Sequence, residues 1–237
     1  MIFWVMVSLV AWELFQGLRV GAAIPTGAWP LSAVDVVFLV LLPALCAVAF
    51  IRLFLVLTQT ARGTLNVYAA LSSPWAWVFW LGLCVAMIGH GVHLAGNAVW
   101  RQLPEAFSQG DFASKIAFLD TRLGYVLLAL GFFLVSLATL FIGHGGSQRL
   151  SGMLRVVFAL GSLATYGALV ILMGVGARQY IPAIAASAVL TTVGVLLVPP
   201  SEITRDPITA FIVPGAFLAG LALLVWTLVV GGQPAFG

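Results

Sequence analysis

Apolar residues fall along this chain in long blocks, without the alternation of a half-buried strand or the one-sided stripe of a soluble helix. Seven blocks approach the roughly 20 residues needed to cross about 30 Å of hydrocarbon. They cover about 1–18, 32–57, 75–100, 117–142, 152–176, 180–199 and 208–231. This pattern predicts an all-α polytopic membrane helix bundle with seven transmembrane helices, one transmembrane domain over 1–237, and termini on opposite sides. Pro30, Pro74 and Pro182 stand near helix starts, where a missing N–H costs little. Pro43 and Pro214 fall inside spans and are expected to kink them. The sixth block is short and ends at Pro199-Pro200. The first carries no basic residues ahead of it and contains Glu13, which argues against a cleaved signal peptide.

Composition agrees. The chain is 62% hydrophobic and 7% charged, whereas soluble domains carry about 25% charged residues. Its expected environment is the lipid bilayer, with other transmembrane subunits as the alternative partners. No basic run points to nucleic acid. Cys46 and Cys84 lie within spans, where a thiol behaves as a small hydrophobe and says nothing of redox compartment.

With the N-terminal side called A, the A loops hold Arg52, Arg62, Arg149, Arg155 and Arg205. The B side holds Arg19, Arg101, Lys115, Arg122 and Arg178. The positive-inside rule therefore gives a tie and no orientation. Embedded polar groups are less even. Glu13, Asp35, His90, His93, Asn97, Asp120 and Tyr125 all fall in the B halves of their spans, which predicts a polar cavity open to side B.

The densest polar run is Ile88-Gly-His-Gly-Val-His-Leu-Ala-Gly-Asn97. Spacings of three and four put His90, His93 and Asn97 on one helix face. Polar side chains in a membrane helix are expensive and need a partner or a task. Asp120, early in the next span, falls at a similar depth. Two imidazoles and a carboxylate form a donor set suited to Zn or Fe with open positions. The candidate metal ligands are thus His90, His93 and Asp120, with Glu13, Asn97 and Tyr125 as candidate catalytic or orienting groups. The alternative is structural: both histidines hydrogen-bond to Asp120, Asn97 or backbone carbonyls and lock the two helices together. Likewise, Gly89, Gly91, Gly96, Gly124 and Gly131 either permit close helix packing or leave room for a ligand.

Other chemistry is disfavoured. His144 is the sole histidine outside the third span and lies at the opposite face, so a bis-histidine haem is hard to build. The last span holds no lysine for a retinal Schiff base, and no phosphate loop, nucleophile elbow or His-Glu-x-x-His occurs. A histidine late in one span and an aspartate early in the next, here His90 and Asp120, resembles the alkaline ceramidase and adiponectin-receptor superfamily of membrane metallohydrolases. The resemblance covers those two residues. That family's His-x-x-x-His pair in the last helix is missing here, and Ala86 stands where it has a serine.

The expected function is binding of, or action on, a lipid-like or amphipathic small molecule in a polar, metal-assisted pocket near one membrane face. The competing expectations are a non-catalytic transmembrane subunit or scaffold, and a transporter.

Overall fold

The computed structural model describes residues 41–62, 72–102, 110–144, 149–171, 174 and 179–230. All regular structure among them is helical. We label the helices α1 (Leu42–Arg62), α2 (Pro74–Gln102), α3 (Asp111–Gly143), α4 (152–171), α5 (Tyr180–Leu197) and α6 (Pro207–Val230). Helices α3 and α4 each contain a wider π-helical turn, at Phe118–Leu123 and Leu163–Gly167.

These six helices fall on the last six expected spans. The expected first span, with Glu13, lies outside the described residues, as does Asp35, so a seven-helix bundle is not established. By length and composition α2, α3, α5 and α6 can each cross a membrane; the apolar stretches Ala44–Gln59 and Gly152–Gly167 are shorter. Large apolar side chains are turned outward along these helices, among them Met153 at 81% exposed, Leu196 at 79% and Val229 at 79%. Such exposure is costly in water and ordinary in lipid.

Helices α2 and α3 run antiparallel, in contact along their length. The α2 side of the seam repeats at alternating steps of four and three: Gly82, Ala86, Gly89, His93, Gly96. A Cβ on Gly89 would lie 2.3 Å from the Leu128 nitrogen, and one on Gly131 would lie 2.3 Å from the Ala86 nitrogen. A Cβ on Gly96 would reach Asp120 at 2.8 Å, and one on Gly124 would reach His93 at 2.8 Å. Small residues let the backbones touch, which replaces the hydrophobic drive that is missing between helices in lipid. Gly91 is the exception, with nothing within 4 Å of the equivalent position.

Helix α1 docks on this pair through aromatic rings. Phe54 lies 5.0 Å from Phe79 and 5.4 Å from Trp80, and Phe50 lies 6.0 Å from Phe132, centroid to centroid. Helix α6 packs against α4 and α5 on the other side. Its first turn is capped by Asp206, whose Oδ1 accepts the backbone N–H groups of Ile208 and Thr209 at 3.1 and 2.9 Å. Pro207 follows at the first helical position, where its missing N–H and fixed φ suit a helix start. Farther along, Pro214 removes one N–H from the ladder, and the next N–H, on Gly215, leaves it to donate to Ser162 Oγ at 2.7 Å. A Cβ on Gly215 would fall 2.1 Å from the Ser162 carbonyl oxygen. Pro214 thus stands at a close crossing of α4 and α6, directly before the π turn of α4.

Candidate functional site

Of the residues singled out by their spacing, His93, Asp120 and Tyr125 come together. His93 Nδ1 lies 3.0 Å from the Asp120 carbonyl oxygen and 2.7 Å from its Oδ1. Both neighbours are acceptors, so Nδ1 carries the proton. Its N–H is aligned on the carbonyl, with the carboxylate oxygen close alongside. The π turn makes this possible. Within Phe118–Leu123 the ladder widens, with the Gly124 N–H reaching back five residues to the Leu119 carbonyl. A widened turn displaces its carbonyls from α-helical register, and the one on Asp120 meets the imidazole. The Tyr125 ring lies against His93, 4.6 Å between centroids and tilted by 40°.

The remaining candidates are placed differently. His90 is buried at 2% exposure, one turn before His93 on α2. Asn97 continues α2, but its side chain lies outside the described residues, as does Glu13. The expected metal centre is not supported by the geometry. Among the described residues, no three His, Cys, Asp or Glu side chains are grouped to hold an ion. His93 and Asp120 face each other at ion-pair distance, with no shared third point on which both converge. The glycines flanking the histidines serve packing: four of the five abut the partner helix, and only Gly91 borders open space.

The space for a ligand is on the far side of Tyr125. A cavity of about 400 Å³ opens between α3, α4 and α5. Tyr125, Phe132 and Phe133 line it from α3, Tyr166 and Leu169 from α4, and Pro182, Ala186 and Leu190 from α5. Gln179 stands directly before α5, so the cavity runs from that end of the bundle toward its middle. Among the described residues, no Asp, Glu, Lys, Arg or His lines it. The cavity described here is apolar, with a few hydroxyl groups.

Two of those hydroxyls form a directed pair. Ser136 Oγ donates its one hydrogen to the Phe132 carbonyl at 2.7 Å. The 2.7 Å contact between Ser136 and Tyr166 must then run from the tyrosine O–H to the serine oxygen. With its hydrogen engaged, the Tyr166 oxygen retains acceptor capacity beside the cavity. Ser187, on α5, is 2% exposed, lines the same cavity, and has no hydrogen-bond partner for its hydroxyl among the described residues. Spacing within one span cannot reveal such pairs. The available signal was the presence of Ser136, Tyr166 and Ser187 inside apolar spans, where an embedded hydroxyl asks for a partner.

No protein-family model matches this chain, and no curated protein or solved structure is significantly similar to it.

Proposed function

We propose that this protein binds a neutral, lipid-like amphiphile within the bilayer, held in the cavity between α3, α4 and α5. The observation that carries the reading is the cavity itself, about 400 Å³ of apolar space lined by no charged side chain among the described residues. An ionised ligand would have to leave water without a counter-charge, at a cost of several kcal/mol. An alcohol, ketone or ester would instead find the Ser187 hydroxyl as donor and the Tyr166 oxygen in reach of the cavity as acceptor. Tyr125 joins the two halves of the site, bordering the cavity on one side and His93 on the other. In this reading His93 and Asp120 hold Tyr125 and the B-side end of α3 in place, with His90, Asn97 and Glu13 as further candidates for the polar end. Metal-assisted chemistry on the bound molecule is a narrower version that requires a ligand set beyond the His93–Asp120 pair.

Solvent extraction of the purified protein followed by mass spectrometry tests the proposal. About one neutral lipid-like molecule per chain is expected from the native protein, and none from Ala129→Trp, which fills the cavity from α3. Equal recovery from both, or recovery of charged lipids only, would refute it. A scaffold role is the second reading, favoured by the direct His93–Asp120 contact across the α2/α3 seam. It predicts a stoichiometric protein partner and no retained ligand.

A further inference from the structure

At the A face, opposite the mouth of the cavity, three guanidinium groups are tied to one short turn. Arg149 Nε lies 3.5 Å from Glu202 Oε2, and Arg205 Nη1 lies 2.9 Å from Glu202 Oε1. Arg155 Nη2 donates to Thr204 Oγ1 at 2.9 Å. The strand-like approach to α4 is fastened to the same turn by the Leu150 N–H, which donates to the Arg205 carbonyl at 2.7 Å. Arg149 and Arg205 remain about half exposed, at 48% and 51%. The second carboxylate of the turn, Asp206, is 1% exposed and committed to the start of α6. Three arginines against two carboxylates, one of them buried in the α6 cap, leave an excess of one positive charge around the turn. Helix α4 begins here without a side-chain cap at Ser151, so its N-terminal N–H groups add to the positive potential.

Directly beyond these charges, α4 turns an apolar face outward: Met153 is 81% exposed, Leu154 52%, Val156 57% and Leu160 60%. Cationic groups at the interface followed by an apolar strip descending into the membrane match both halves of a phospholipid. We infer that this turn and the outer face of α4 form a binding site for an anionic glycerophospholipid. Its phosphate would meet Arg149, Arg155 and Arg205, and its acyl chains would lie along α4. Forked guanidinium donors suit phosphate oxygens better than lysine would. The site is independent of the cavity, which faces α5 and carries no charge.

The test is native mass spectrometry of the full chain, with phosphatidylglycerol and phosphatidylcholine of identical acyl chains offered together. Retention of phosphatidylglycerol over phosphatidylcholine is expected, and it should weaken with salt. Each interfacial arginine is worth about fivefold in affinity. Arg155→Gln should therefore lose about that factor, and R149Q/R155Q/R205Q should abolish the preference. Glu202→Gln removes the competing carboxylate and should tighten binding by a similar factor. That increase is something a purely structural role would not produce, and it keeps the idea testable if the triple variant fails to fold. Lys115→Gln, on the B side, should change nothing. Equal retention of both lipids, or an unchanged preference in the triple variant, overturns the proposal. Competition by millimolar inorganic phosphate without any requirement for acyl chains would overturn the lipid assignment. Ala129→Trp, which empties the cavity, should leave phosphatidylglycerol retention intact.

Discussion

At the scale of single residues, the α2/α3 seam makes sharp distinctions among chemically identical glycines. Gly89→Ala drives a methyl into the Leu128 backbone, which cannot retreat as a flexible side chain would. It should destabilise the protein by about 1–3 kcal/mol. Gly91→Ala, one turn-face away in open space, should stay within about 1 kcal/mol of native. Reversible unfolding in mixed micelles reads both. His93→Ala removes the donor to the Asp120 carbonyl and the imidazole beside its carboxylate, and should cost about 1–3 kcal/mol. Asp120→Asn should cost less, because the backbone oxygen still accepts the Nδ1 proton. The reverse order would mean that the carboxylate contact, and not the carbonyl bond, holds the helices together.

At the scale of elements, the spans were legible because crossing a membrane demands a length and a composition that few other structures share. The blocks at 75–100, 180–199 and 208–231 lie within a few residues of α2, α5 and α6. The place of His90 and His93 on one helix was legible too. What spacing cannot convey is the partner helix's rotation, and here a π turn resets that rotation just where Asp120 lies. Asp120 was therefore readable as a neighbour of His93, but not as a residue that offers its backbone carbonyl to it. The cavity was unreadable for a different reason: it is the space left where α3, α4 and α5 fail to close. Ser162 shows the same limit, since its role as acceptor for Gly215 depends on Pro214 in a helix two elements away. Ser162→Ala should leave that buried N–H unsatisfied, at about 1–3 kcal/mol in the same unfolding assay.

At the scale of the whole molecule, polarity is divided between two places with different chemistry. On the A side the turn before α6 gathers guanidinium groups around a single exposed carboxylate. On the B side the described cavity between α3, α4 and α5 is apolar. A bilayer protein arranged this way presents charge to headgroups at one face and a neutral cavity to an amphiphile at the other. The central claim, that the cavity is a ligand site, is tested most directly by photolabelling. A long-chain alcohol carrying a diazirine is irradiated with the protein in bilayers, and the labelled peptides are mapped. Labels are predicted at 125–136 of α3, 166–170 of α4 and 179–190 of α5, displaced by excess unlabelled alcohol but not by the corresponding carboxylate or quaternary amine. Labels spread over outward positions such as Met153, Leu196 and Val229, insensitive to competition, would contradict it.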